Sequence, residues 1–189
     1  MNSMSLRPIV IALTLASACA LLMTLGGCTG TIQSNPTTFS VLEGAAPALR
    51  GQQRIALKNA YKAETIVTVQ QVRGSTALAD LKQYTDTAIS MLERQMTKDG
   101  ITIDATATKS ITLRVRDMTV TTTMYPFVAV MNSSLTLEAR LGEGTTTAFR
   151  TESSSAGGPA RAFDGAVVLA VTSLLNDKEF QAYVNQATK

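Results

Sequence analysis

An uncharged apolar stretch, Pro8 to Gly27, follows the single basic residue Arg7 near the start of the chain. A basic start, an apolar run and an exit of small residues form the pattern of a secretory signal. The run is also long enough to resemble a marginal membrane-spanning helix. Its small-residue exit favours cleavage, so we expect residues 1–27 to be a signal peptide that is absent from the mature protein.

The exit reads Leu25-Gly26-Gly27-Cys28 and resembles the bacterial lipobox, an aliphatic residue and two small residues before a cysteine. The resemblance implies that Cys28 becomes the first mature residue and carries acyl chains that anchor the protein in a membrane. Each buried CH₂ contributes ~0.8 kcal/mol, so several chains together hold a protein firmly. In enterobacterial lipoproteins, Asp after the cysteine favours retention in the inner membrane. Thr29 therefore implies the periplasmic face of the outer membrane, for a host with a comparable double membrane. The inner membrane and the cell surface are the less favoured locations, and an uncleaved signal anchor is the alternative.

The composition argues against several classes of function. A net charge of +3 over 189 residues is too small to indicate nucleic-acid binding. The chain has no His, so it lacks the usual Cys/His metal site and the Ser–His or Cys–His catalytic pair. Its two cysteines, Cys19 and Cys28, have no CxxC spacing and do not indicate a disulfide framework. We expect no enzyme activity, no metal and no cofactor.

A glycosidase with two carboxylates remains the enzymatic alternative, because sequence alone does not show whether two acidic residues share a cleft. Asp99 and Asp104 lie close together in sequence, near the predicted end of a helix and start of a strand. Sugar-binding clefts normally carry aromatic platforms, whereas this chain has 5% aromatic residues and no Trp. The composition therefore favours the non-enzymatic interpretation.

The mature chain is expected to divide into a tether and one domain. Residues 28–51 are rich in Thr, Pro and small residues, which is typical of a flexible linker, although Phe39 to Leu42 suits a short edge strand. Residues 52–189 carry the apolar periodicities of a folded domain. They begin with two strand-like runs, Arg54–Tyr61 and Glu64–Val72.

The clearest predicted helix starts at Ser75 or Thr76 and ends near Lys98, with Gly100 as a left-handed cap. Its apolar face is expected to hold residues at helical spacing: Leu78, Leu81, Thr85, Ala88, Leu92 and Met96. A second helix is predicted from about Arg161 to Leu175. It presents Phe163, Val167, Ala170 and Leu174, and a short helix or tail follows.

Three runs between these helices alternate apolar and polar residues, as strands with one buried face do. The first has Ile111, Leu113 and Val115 inward. The second has six residues on its inward side: Phe127, Ala129, Met131, Leu135, Leu137 and Leu141. The third has Phe149 inward. The predicted fold is therefore α+β, a mostly antiparallel sheet of about four to six strands with two helices packed on one face.

Four arginines, Arg114, Arg116, Arg140 and Arg150, share the outward parity of these strands. Such a cluster can bind a phosphate or a carboxylate, which makes it the candidate ligand or partner face. The favoured interpretation is an ordinary solvated surface, with Glu138 and Glu152 interleaved. A register that pairs Val120 with Val128 and Leu141 with Thr145 predicts one outward row of Arg114, Ser134 and Glu152.

The order of elements, with "LERQMTKDGI" from Leu92 to Ile101 ending the first helix, resembles small outer-membrane lipoproteins of the YajG type. More distantly it resembles LptE-like proteins and the auxiliary lipoproteins of lipid-transporting ABC systems. The resemblance implies a non-enzymatic accessory or scaffold subunit that binds an envelope protein. A lipid- or lipopolysaccharide-binding subunit of an envelope transport system is the alternative. The "TTTMYPF" turn and the loop at Ser153–Gly158 have no counterpart in that family pattern.

Overall fold

The structure is a computed structural model that describes residues 30–37, 39–41, 44–49, 53–72 and 75–186. The predicted signal peptide and Cys28 lie outside the described residues. Within the described part, no helix has the length and apolar character needed to cross a bilayer.

The described residues form eight strands and three helices. The strands are β1 (Gly30–Ser34), β2 (Arg54–Asn59), β3 (Ile66–Val72), β4 (Ser75–Asp80), β5 (Thr102–Ile103), β6 (Ser110–Met124), β7 (Ala129–Leu141) and β8 (Thr146–Ser155). The helices are α1 (Leu81–Lys98), α2 (Pro159–Asn176) and α3 (Lys178–Asn185).

These strands form two sheets, ordered β1-β4-β3 and β5-β2-β6-β7-β8. β1 pairs with β4 in parallel, and β2 pairs in parallel with both β5 and β6, whereas the other pairs are antiparallel. The α+β class is confirmed, but the single, mostly antiparallel sheet and the two helices are wrong in detail. The two parallel pairs of β2 arise because α1 lies between β2 and the strands β5 and β6, a connection long enough to return the chain to the same end.

The first helix begins later than the sequence predicts. Ser75–Asp80 is strand β4, and Asp80 caps α1 by accepting a hydrogen bond from the Lys82 amide at 2.9 Å. Ala77 and Ala79 are buried on one face of the strand. Alanine favours a helix more than any other residue. Alternating alanines in a sequence therefore do not indicate a strand. At the other end of α1, Gly100 adopts φ 87°, as predicted for its C-terminal cap.

Helices α1 and α2 both pack on the inward face of the five-stranded sheet. The predicted α1 residues from Leu81 onward and the four predicted α2 residues are buried, whereas Leu78 lies on β4. Leu135 and Leu137 belong to the same core cluster, and Phe149 packs against it half-buried. The rings of Tyr84 and Phe163 meet edge to face, with their centroids 5.7 Å apart, where the two helices adjoin.

Part of the segment predicted to be a tether is structured. β1 pairs with β4 through five residues, and beyond it the Thr37 amide donates to the carboxylate of Asp164 at 3.0 Å. The buried Leu49 donates its amide to Asp99 at 3.0 Å. Residues 39–41 form no strand, so the expected edge strand there is wrong. Small polar residues in β1 resemble a linker because a parallel edge strand needs few large apolar side chains.

Candidate functional site

The predicted row of outward residues is half correct. Ser134 pairs with Glu152, as the Leu141–Thr145 turn requires. Arg114 pairs instead with Glu138. The turn between β6 and β7 aligns Met124 with Ala129, and a one-residue register shift further along the ladder then places Arg114 opposite Glu138. This shift lies between Val115 and Asp117, where Arg116 is left without a partner in the ladder. An irregularity of this kind carries no sequence signal that fixes its position.

Two of the four arginines are held by one carboxylate. Arg114 Nε donates to Glu138 Oε2 and Arg116 Nη1 donates to Glu138 Oε1, each at 3.0 Å. Arg116 Nε also donates to Asp117 Oδ2 at 3.0 Å. Glu138 therefore occupies the space between the two guanidinium groups that an anionic ligand would need.

Arg140 lines a shallow depression together with Arg114 and Glu138, so three of the four arginines lie close together. Arg150 donates instead to the Ser134 hydroxyl at 3.2 Å. The outward face is thus a mixed-charge surface with local ion pairs, which matches the interpretation favoured from the sequence. Its role as a binding face stays a prediction.

A larger groove lies between α2, the end of β8 and the segment that follows β1. Its volume is about 910 Å³, in the range of ligand-binding clefts. One wall is the exposed side of α2, and a second is the end of β8 from Ser153 to Ser155. The third is the chain segment that follows β1, with Thr37, Phe39 and Ser40. Phe39, Val168 and Leu169 supply its apolar surface.

Asp164 lies at the floor of this groove and is almost fully buried. Its Oδ1 accepts the Thr37 amide, while Oδ2 has no hydrogen-bond partner among the described residues. Burial raises the pKa of the Asp164 carboxyl above its ordinary value, and hydrogen bonds from the amide and the side chain of Thr37 oppose that shift. Because a buried carboxylate is costly, the site favours the protonated form of Asp164.

The next residue along α2 explains how β8 approaches the helix so closely. A Cβ atom at Gly165 would lie 2.2 Å from the Ser153 hydroxyl oxygen. Only glycine fits there, which brings the Ser153 end of β8 against α2 and closes one side of the groove. Two further bonds fix this packing, since the Thr151 hydroxyl donates to the Ala166 carbonyl and the Ser133 hydroxyl donates to the Ala162 carbonyl.

The outer edge of β8 is unpaired, because β8 is the last strand of its sheet. The Leu141 amide donates to the Thr145 carbonyl at 2.9 Å, which fixes the alternation of the β7–β8 ladder. The backbone groups of Thr151 and Ser153 therefore point to β7. Those of Glu152 and Ser154 point to the free edge, beside the groove.

The sequence contains one signal for this site, which the predictions from apolar periodicity do not use. Between Arg161 and Asp177, Asp164 is the sole charged residue in an otherwise apolar and small-residue helix. A charge inside such a run is either paired or functional, which makes it a candidate. Asp99 and Asp104 do not line this groove. Among the described residues, no group of three acidic or cysteine side chains is placed to hold a metal ion.

Comparison with known proteins gives structural similarities without a family. No protein-family model matches the sequence, and no curated protein matches it. A Xanthomonas campestris protein of the family described as DUF330 is 16% identical, with a TM-score of 0.47 over 78% of this chain and 93% of that one. A minor lipoprotein of Acinetobacter baumannii is 10% identical, with a TM-score of 0.37 over 71% of this chain and 92% of that one. At these TM-scores neither similarity decides a function, and the YajG-type and LptE-like resemblance stays a prediction.

Proposed function

We propose that this chain is a non-enzymatic accessory lipoprotein of the bacterial cell envelope, anchored through acyl chains on Cys28. It binds an envelope protein in the groove between α2, β8 and the segment after β1. The observation that carries the proposal is the groove of about 910 Å³ itself, which places the apolar side chains of Phe39, Val168 and Leu169 beside the free edge of β8. The favoured location is the periplasmic face of the outer membrane.

The groove suits an extended protein segment. Such a segment could pair with the free edge of β8 through the backbone of Glu152 and Ser154, as added strands do in many complexes. Its side chains would then alternate between solvent and the groove. An apolar side chain would cover Phe39 and Leu169.

Site-specific photocrosslinking in native membranes tests this proposal. The crosslinking residue replaces Leu169, which is half exposed on the groove wall, and a control replaces the exposed Glu143 in the β7–β8 turn. We expect a crosslinked protein at position 169 and none at position 143. Equal crosslinking at both positions would contradict the proposal.

Proline substitutions then test the strand edge. Ser154→Pro removes an outward amide beside the groove, and the matched control Ala148→Pro removes one further along the same edge. Neither amide belongs to the β7–β8 ladder, so both variants are expected to fold, which thermal unfolding checks. We expect Ser154→Pro to abolish the crosslink and Ala148→Pro to retain it. A crosslink that survives Ser154→Pro would exclude strand addition.

The alternative is a subunit that binds lipid or lipopolysaccharide in the same groove. Its apolar wall of Phe39, Val168 and Leu169 favours this second candidate. Native mass spectrometry of the chain in detergent distinguishes the two, because bound lipid would add a discrete mass. Leu169→Asp would remove that mass if the groove holds an acyl chain.

A further inference from the structure

The hairpin that joins β6 and β7 ends in an exposed apolar tip. Phe127 is 100% exposed, so its predicted inward position is wrong, because it lies in the turn before the β7 ladder begins at Ala129. Met124 is 75% exposed, and Tyr125 and Val128 are also exposed. β8 pairs with β7 only as far as Met131, so the last ladder pairs of the hairpin have no third strand beside them. Four large apolar residues at one loop tip are unusual for a surface in contact only with water.

The outer part of the hairpin, beyond Asp117 and Glu138, carries no charge. Between Asp117 and Glu138 there is no Asp, Glu, Lys or Arg, so 20 consecutive residues are uncharged. Exposed strands normally use charged side chains to remain soluble and unpaired. This hairpin uses Thr, Ser and Asn instead, as in the hydrogen bond from Asn132 to the Thr123 hydroxyl at 3.0 Å.

The start of β1 lies at the same end of the molecule as this tip. β3 lies beside the half of β6 that is nearest the tip. This placement is shown by the hydrogen bond that Gln70 Nε2 donates to the Thr122 hydroxyl at 2.8 Å. Two residues beyond Gln70, Val72 pairs with Ser75, and Ser75 pairs with Gly30. The other end of β4 leads into α1. The Thr85 hydroxyl of α1 accepts a hydrogen bond from the Val115 amide, which lies in the part of β6 far from the tip. Gly30 is therefore near the level of Met124.

Cys28 precedes Gly30 by two residues, which an extended chain spans in about 7 Å. Acyl chains on Cys28 would thus enter the bilayer beside the hairpin tip. An apolar tip with one tyrosine, on an uncharged stem, has the composition of a segment at the boundary between head groups and acyl chains.

We propose that the β6–β7 tip, Met124–Val128, inserts into the lipid surface as a second membrane contact beside the anchor. The orientation part of this inference rests on the proposed lipidation of Cys28, whereas insertion of the tip does not. A lipid-anchored protein with this second contact would be held upright. The groove at α2 would then keep a fixed orientation to the membrane.

The chain has no Trp, so a single Trp makes a specific reporter. Full-length Phe127→Trp protein is produced in a diderm bacterium and reconstituted into phosphatidylethanolamine–phosphatidylglycerol vesicles that contain brominated acyl chains. Glu143→Trp, in the turn at the opposite end of β7, is the matched control. We expect quenching at position 127 to exceed quenching at position 143 by at least about fivefold, because bromine quenches only residues near the acyl chains.

A second pair of variants tests the apolar character of the tip. With Tyr125→Trp as reporter, the added change Phe127→Asp is expected to remove most of the quenching, since charged groups resist insertion. Circular dichroism shows whether that variant keeps its fold. Quenching that is equal at positions 127 and 143, or unaffected by Phe127→Asp, would overturn the proposal. A tip that crosslinks to protein in native membranes and is not quenched would also overturn it.

The mass of the same preparations separates this inference from the proposed anchor. Acylated protein with an unquenched tip contradicts insertion alone. Protein without acyl chains contradicts the proposed lipidation of Cys28. In that case, quenching at position 127 still tests whether the tip inserts into the lipid surface.

Discussion

The hydroxyl oxygens of Ser34 and Tyr84 lie 2.6 Å apart, and both side chains are buried. This hydrogen bond joins the last residue of β1 to the first turn of α1. It ties the segment nearest the predicted anchor to the core of the domain. The segment that follows β1 lines the groove, so this contact also sets the position of one groove wall.

Tyr84→Phe should cost about 1–2 kcal/mol of unfolding free energy, because it leaves the buried Ser34 hydroxyl without a partner. Burial raises the pKa of Tyr84 to about 12, against a smaller opposite effect of the Ser34 hydrogen bond. The fold thus favours the neutral phenol, so stability from this group is complete below about pH 10. It is then lost as the pH rises toward 12. Chemical denaturation between pH 8 and 12 should show this loss in the wild type and in Tyr125→Phe. The same loss in Tyr84→Phe would contradict the assignment.

Asp164→Asn should keep or increase the free energy of unfolding at pH 7. Because burial raises the pKa of Asp164, the carboxyl stabilises the fold most when protonated, and that stability is lost as the pH rises through its folded pKa. The neutral amide can still accept the Thr37 amide proton. The advantage of Asn should therefore shrink as the pH falls below about 4, the ordinary range of a carboxyl.

Asp104→Asn is the control with the opposite sign. The amide and hydroxyl of Thr106 lower the pKa of Asp104, so its ionised form stabilises the fold at neutral pH. That stability is lost as the pH falls. Urea unfolding at pH 4 and pH 7 compares the two variants. A destabilised Asp164→Asn at pH 7 would show that Asp164 has a structural role instead.

Gly165→Ala should destabilise the protein by about 1–3 kcal/mol, because the new methyl would collide with the Ser153 hydroxyl. Alanine normally stabilises a helix interior relative to glycine, so a loss of stability in Gly165→Ala would indicate the collision with Ser153. Thermal unfolding of Gly165→Ala with Ser153→Ala should recover most of the loss. Gly144→Ala, in an open turn, should change stability by less than about 0.5 kcal/mol. A stabilised single variant would refute the close contact of β8 with α2.

Leu137→Ala should cost about 2–5 kcal/mol, because Leu137 is fully buried between the sheet and the helices. Leu169→Ala removes the same atoms from the groove wall and should cost less than about 0.5 kcal/mol. Denaturant titration of both variants measures the contrast. Similar losses at the two positions would be inconsistent with the inward face described for β7.

The parts of the fold that the sequence predicts are those with large apolar residues at regular spacing. Leu92 and Met96 in α1, and Leu135 and Leu137 in β7, sit where their periodicity places them. Small residues do not give such a clear periodicity. Ala77 and Ala79 carry a strand alternation that resembles a helix, and Gly30–Ser34 joins a sheet through backbone pairing, which periodicity does not reveal.

The candidate site was harder to predict, because it depends on contacts between distant segments. Asp164 meets Thr37 across 127 residues, and no local pattern specifies that bond. The turn register and the irregularity at Arg116 together place two arginines beside Glu138, so the outward row predicted from parity alone is displaced. Only the isolated charge of Asp164 within an apolar helix pointed to the groove from sequence.

The mass of the mature N-terminal peptide tests the central claim, a lipid-anchored accessory protein, most directly. The full chain is produced in a diderm bacterium, recovered from the membrane fraction and digested before mass spectrometry. A peptide that begins at Cys28 and carries a diacylglyceryl group with an added acyl chain is the predicted result, and Cys28→Ala should accumulate as the larger precursor. An unmodified Cys28, or a mature chain that retains residues 1–27, would contradict the claim.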